Sequence, residues 1–109
     1  MIAWYTNRTT RTLIIVEDQL SAIRASDYVN SVALLGTNLN QERATEIREA
    51  GLRPAYLALD KDAWELSVRY AKQYRTYLGL QLLRLDKDIK DMTDEEAGDL
   101  LSNVRGVEA

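Results

Sequence analysis

Short apolar runs, each followed by a polar turn and then an amphipathic stretch, set the rhythm of this chain. Residues 2–6 read as a short strand, an edge or an extension of a sheet, before a polar Thr- and Arg-rich turn at 7–11. Residues 12–16 are apolar on both faces, the pattern of a buried parallel strand. Asp18 then caps a predicted helix to about residue 27, with Leu20, Ala22 and Ile23 turned inward. Residues 29–35 form the next strand, closed by Gly36 and Thr37. A helix starting at Asn38, with Gln41 in capping-box position, turns Ala44, Ile47 and Ala50 to the core and stops at Gly51. Pro54 opens a strand that runs to Leu59. Asp62, with Glu65 three residues on, starts the longest predicted helix, residues 63 to about 78, with Trp64, Val68, Ala71 and Leu78 along its apolar stripe. Gly79 ends it, residues 80–85 make a further strand, and Thr93 with Glu96 caps a last helix through about residue 104.

Strands alternating with helices over short connections predict an α/β fold, a parallel sheet covered by helices. With 109 residues and no internal linker or repeat, the expectation is one domain, residues 1–109, divided into an N-terminal strand or arm at 1–11 and a core at 12–104. No apolar run approaches a membrane span and no signal-peptide pattern is present, so no membrane association is expected.

Composition narrows the chemistry. The chain has no Cys and no His, which removes thiolate zinc, disulfides and the commonest general base. Catalysis would fall to carboxylates, Lys, Tyr, Ser or Thr, or to a bound metal. The formal net charge of −3 is unevenly spread: residues 60–85 carry five basic against three acidic side chains, and residues 86–109 three against eight. Charge alone therefore gives no nucleic-acid footprint.

Acidic residues mark the strand ends. Glu17 follows the run 13–16, Asp60 and Asp62 follow 56–59, and Asp91 lies beyond 80–85. Ligands of open parallel sheets bind at that edge. Carboxylates gathered there repel one another unless a cation holds them, and all-oxygen ligands suit Mg²⁺ or Mn²⁺.

These residues resemble a family. The stretch from Thr12 to about Leu101 is similar to a Toprim domain, the metal-binding module of DNA primases, type IA and type II topoisomerases and OLD-type nucleases. Ile15-Val16-Glu17 matches its strand-closing glutamate, and Leu59-Asp60-Lys61-Asp62-Ala63 its Asp-x-Asp element. Ala33-Leu34-Leu35-Gly36-Thr37 is similar to the hydrophobic-Leu-Gly-Thr segment of bacterial and phage primases, and Lys90-Asp91-Met92-Thr93-Asp94 to their Lys-Asp element. The primase branch, including primase-helicases, fits best. The chain departs from it at Asp18, Ser21, Trp64 and Glu65, where primases tend to carry Gly, Asp and Gly-containing segments, and it lacks their Cys/His zinc module.

The resemblance implies a three-layer, Rossmann-like Toprim fold with a four-stranded parallel sheet and an extra N-terminal edge strand. It implies nucleotidyl-transfer or phosphodiester chemistry with one or two Mg²⁺ or Mn²⁺ ions, primer synthesis being the parent activity. Asp60, Asp62 and Asp91 would hold metal, and Glu17 would be a further ligand or the general acid/base. Gly36, Thr37, Lys61, Lys87 and Lys90 would meet phosphates. Implied partners are a single-stranded DNA template and nucleoside triphosphates, with a helicase or other replication protein, in the cytoplasm of a bacterial or phage-infected cell.

Plainer roles compete for several of these residues. Asp18 and Asp62 are good helix caps, Thr37 suits a cap, and Arg8 and Arg11 fit a solvated loop as well as a nucleic-acid arm. Tyr70, Tyr74 and Tyr77 fit packing better than nucleophilic attack. Leu13-Ile14-Ile15-Val16-Glu17-Asp18 also resembles the first strand and acidic pair of a response-regulator receiver, with Asp60 as phospho-acceptor, but no fifth strand ending in Lys follows. A Toprim nuclease or a non-catalytic Toprim scaffold are the remaining alternatives.

Overall fold

The computed structural model describes residues 2–106. Met1 and residues 107–109, the outer ends of the expected domain, lie outside the described residues. The chain runs β1 (Ala3–Tyr5), β2 (Leu13–Val16), α1 (Gln19–Ala25), β3 (Asn30–Ala33), α2 (Gln41–Ala50), β4 (Ala55–Leu57), α3 (Trp64–Gln73), α4 (Arg75–Leu78), β5 (Gln81–Leu82) and α5 (Asp94–Arg105). Single 3₁₀ turns occur at Lys61–Ala63 and Ile89–Asp91.

The sheet has five strands in the order β1-β3-β2-β4-β5. The four from β3 to β5 are parallel, and β1 joins β3 antiparallel at one edge. The fold is thus α/β, with a mostly parallel sheet flanked by helices. Because alternate strand residues face opposite sides, Leu13 and Ile15 enter one apolar layer with Ile47, Tyr70, Tyr74 and Leu78. Ile14 and Val16 enter the other with Ala22, Ala25, Ile89 and Leu101. Helices α2, α3 and α4 therefore cover one face, and α1 and α5 the other. Every residue of β2 is buried, as its unbroken apolar run requires.

Several local expectations are corrected. On α1 the buried residues are Ser21, Ala22 and Ala25, while Leu20 is 66% and Ile23 45% exposed. The small face lets α1 sit close to the sheet, where Ser31 Oγ donates to Ala22 O at 2.6 Å, and Ile89 and Leu101 fill the same layer. The α2 cap is Asn40, whose side chain accepts from Arg43 N–H at 2.9 Å, so neither Asn38 nor a Gln41 capping box starts this helix. Gln41 is the first helical residue because Leu39 is drawn into the core just before it, 2% exposed. Ala50 is exposed at the far end, where Gly51 closes α2 in the left-handed conformation.

The predicted 63–78 helix is interrupted. Lys61–Ala63 is a 3₁₀ turn, α3 starts at Trp64, and the chain breaks at Tyr74 (φ −105°, ψ 19°) before α4. The longest helix is instead α5, whose Thr93–Glu96 capping box forms as expected. Tyr70 on α3 and Tyr74 at the break just after it are buried, while Trp64, Val68 and Ala71 of α3 are half-buried. The 80–85 run gives only a two-residue strand, since the chain leaves β4 after Leu83 N–H donates to Leu57 O at 3.0 Å. Among the described residues no helix is long and apolar enough to cross a membrane.

Candidate functional site

The order of the sheet creates a place where strands diverge. The connection from β2 leads to β3 on one side, and the chain then crosses to β4 on the other. Ligands of open α/β sheets bind at that switch point, beyond the carboxyl ends of the strands. Glu17 stands at the end of β2 and Asp60 three residues past the end of β4.

Glu17 spans the divergence with two different groups. Its backbone carbonyl accepts from Gly36 N–H at 3.1 Å, continuing the pairing toward β3. On the other side the ladder rung of Ala58 N–H to Ile15 O, 2.8 Å, is followed by Asp60 N–H donating to Glu17 Oε1 at 3.0 Å. A side-chain oxygen has taken the place of the next backbone carbonyl. The other carboxylate oxygen of Glu17 makes no hydrogen bond among the described residues.

Around this junction lies a cleft of about 470 Å³, lined by Glu17, Thr37, Asp60, Asp62, Glu65 and Arg69 together with Ala63 and Leu66. Asp60 precedes the Lys61–Ala63 turn but its side chain does not cap it. Asp62 lies within that turn rather than capping a helix, so its exposed carboxylate is left to the cleft. Asp60 is half-buried, and its carboxyl is pushed up from the ordinary 3.8 to about 7. Burial is the largest cause, followed by the charges of Glu17 and Asp88, a hydrogen bond with the Asp88 side chain, and the charge of Asp18.

Asp88 is the residue that sequence reasoning missed. The Asp60 side chain hydrogen-bonds to Asp88, and Asp91 is not among the groups that act on Asp60. Asp91 is exposed at the end of the Ile89–Asp91 turn. The signal in the sequence is Ile89, apolar between charged neighbours: its full burial anchors the turn. Asp88 is thereby held half-buried ahead of it while Asp91 emerges on the outside.

Other predicted residues have definite places. Asp18 is a cap, accepting from Ser21 N–H at 2.8 Å and Ser21 Oγ at 3.0 Å. Lys90 Nζ lies 3.8 Å from Asp18 and Lys87 Nζ 3.0 Å from Glu96, so these cations are committed to carboxylates. Lys61 is exposed beside the cleft without lining it. Gly36 takes φ +139°, a conformation L-residues rarely adopt, directly after Leu35 in the left-handed region at φ +59°. This turn delivers Thr37 to the cleft.

The loop carrying Thr37 is strapped to α3. Tyr70 Oη donates to Thr37 O at 2.8 Å and accepts from Leu39 N–H at 3.1 Å, while Tyr74 Oη donates to Leu39 O at 3.1 Å. These buried tyrosines fix one wall of the cleft relative to the other, the packing role expected of them.

The donor set is one of hard oxygens, suited to Mg²⁺ or Mn²⁺. Clustered carboxylates that drive up the proton affinity of one member make a site where a cation would relieve their repulsion. Among the described residues no three acidic side chains already stand at chelating spacing, so an ion binding here must draw them in.

Comparison of the chain with protein-family models, with curated proteins and with solved structures found no match.

Proposed function

We propose that this chain is a divalent-metal-dependent Toprim-type module of the primase kind, acting in nucleotidyl transfer on a single-stranded DNA template. What supports the reading is one observation above the others. Glu17 and Asp60 are joined by a 3.0 Å hydrogen bond at the switch point of the sheet, where burial, then the charges of Glu17 and Asp88, push the Asp60 carboxyl up to about 7.

In this reading Asp60, Asp62 and Asp88 would hold Mg²⁺ or Mn²⁺, with Glu17 available as a further ligand through its unengaged oxygen. Asp88 takes the role that the Lys-Asp resemblance would give to Asp91. Bound metal supplies charge stabilisation for phosphate oxygens and lowers the pKa of an attacking hydroxyl. The chain's own groups orient and exchange protons. The Asp60 N–H fixes the Glu17 carboxylate, so that its second oxygen would serve either as that ligand or as the acceptor of a proton from a hydroxyl in the cleft. Asp60, whose carboxyl is pushed up to about 7 by burial and by its acidic neighbours, would give up its proton if a cation bound here. Thr37 borders the same space from the strapped loop.

The substrates in this reading are nucleoside triphosphates and template DNA, with template grip aided by a helicase or another replication protein. Primer synthesis and nuclease assays run side by side on single-stranded DNA, with Mg²⁺ and with Mn²⁺, test it. Primer products that vanish in Asp60→Asn support the primase reading. Metal-dependent cleavage without primers would make the chain a nuclease instead, and neither activity with any partner would overturn both.

A further inference from the structure

One side chain in the cleft is of opposite sign to the rest. Arg69, on α3, lines the same space as Glu17, Asp60, Asp62 and Glu65, yet it is exposed and forms no ion pair or hydrogen bond among the described residues. It is not among the groups that act on Asp60. Glu65 stands four residues before it on the same helix, the spacing at which Glu and Arg commonly pair, and here no pair forms. Several other arginines are engaged: Arg24 pairs with Asp94, Arg48 lies over Tyr77 and Arg84 over Trp64.

Thr37 faces the cleft from the neighbouring loop, and its hydroxyl makes no hydrogen bond among the described residues. The two are held in fixed relation. The residue after Arg69 is Tyr70, whose hydroxyl grips the Thr37 carbonyl at 2.8 Å from a buried position. An unpaired guanidinium and an unpaired hydroxyl, on segments tied together at a cleft otherwise rich in carboxylates, suit a ligand that is anionic at one end and cation-bound at the other. A phosphate-bearing substrate has that character. A guanidinium also presents planar paired donors that match phosphate oxygens.

We propose that Arg69 and Thr37 form a phosphate-binding subsite in the carboxylate cleft, Arg69 donating to the phosphate oxygens and Thr37 adding a hydroxyl donor. The proposal rests on the metal reading of the carboxylates. Two sources could supply the phosphate: the polyphosphate tail of a nucleotide or the diester backbone of a single strand.

The test is calorimetric titration of the whole chain, in the presence of Mn²⁺, with ATP and separately with a short oligothymidylate. Arg69→Ala should weaken one of the two by about tenfold or more, and the affected ligand identifies the source. Arg69→Lys should recover only part of the loss, because an ammonium lacks the planar fork. Thr37→Val should weaken the same ligand by a smaller factor. Arg69 is exposed, so these variants keep the fold. Mn²⁺ affinity, read separately by the EPR signal of the free ion, should be unchanged in Arg69→Ala. If Mn²⁺ does not bind, the carboxylate reading fails. The anion subsite is then judged without metal in the Glu17→Gln, Asp60→Asn double variant, where the same Arg69-dependent loss is required. Native-like affinity of Arg69→Ala for both ligands, or no binding of either to the native chain, overturns the proposal.

Discussion

The backbone N–H of Asp60 donates to Oε1 of Glu17 at 3.0 Å, at the position where the β2–β4 ladder would otherwise place a backbone carbonyl. A single hydrogen bond therefore ties the residue ending one strand to the acidic loop following its neighbour. It also keeps a carboxylate at the point where the strands part, half-buried and beside Asp60. Glutamate at this position serves both architecture and charge, and the two roles separate under substitution.

Glu17→Gln keeps an acceptor for Asp60 N–H and removes the charge. The fold should hold, and the Asp60 carboxyl should titrate below about 7 because its second-largest perturbation has gone. Glu17→Ala should cost about 1 kcal/mol of stability through the lost hydrogen bond. NMR titration of the Asp60 side chain and chemical denaturation read the two effects independently.

Stability without metal should fall as pH rises. The Asp60 carboxyl has a higher proton affinity folded than unfolded. Its contribution is therefore complete below about 3.8 and lost as pH rises through about 7. A fully buried group shifted this far would contribute about 4 kcal/mol; with Asp60 half-buried, solvent screening leaves about 1–2 kcal/mol. Glu96 has the opposite sign. Its carboxyl is lowered by the Thr93 N–H and then by Lys87, so its contribution is lost as pH falls below the ordinary range. Thermal melts between about pH 5 and pH 8 isolate the Asp60 effect. The midpoint should drop across that interval in the native chain and stay nearly level in Asp60→Asn.

Asp88 and Asp91 should behave differently although three residues separate them. Asp88→Asn should lower the Asp60 pKa and weaken Mn²⁺ binding by about tenfold or more. Asp91→Asn should change either quantity little, since the Asp91 side chain is exposed and outside the Asp60 environment. Paired Mn²⁺ titrations of the two variants check this.

The Leu35-Gly36 turn stores strain that substitution should expose. Leu35 is 52% exposed at φ +59°, so Leu35→Asn, which tolerates that region, should stabilise by about 0.5–1 kcal/mol with little packing lost. Gly36→Ala, at φ +139°, should destabilise by about 1–3 kcal/mol. Equilibrium unfolding in denaturant gives both signs.

The residues that were legible in the sequence are those whose role is set by their immediate neighbours. The apolar run ahead of Glu17 predicts a buried strand and places Glu17 at its end; Asp18 and Thr93 announce caps that form. Long-range packing decided the rest. Leu20 and Ile23 read as inward residues because they are large, yet the layer beneath α1 is already filled by Ile89 and Leu101 from distant segments. The cap of α2 moved to Asn40 because Tyr70 and Tyr74, more than thirty residues away, hold Leu39 in the core. Asp88 is not legible for the same reason: only the burial of Ile89 decides which aspartate of an acidic stretch faces Asp60. Arg69 reads as an ordinary solvated helix residue until the loop carrying Thr37 is brought beside it.

The most direct test of the account is a crystal soaked in Mn²⁺ and measured at the manganese absorption edge. The account predicts an anomalous peak between the carboxylates of Glu17, Asp60 and Asp88, with Asp62 turned toward it, and no such peak in crystals of Asp60→Asn. An empty site in the native protein, or manganese bound only elsewhere on the surface, would contradict it.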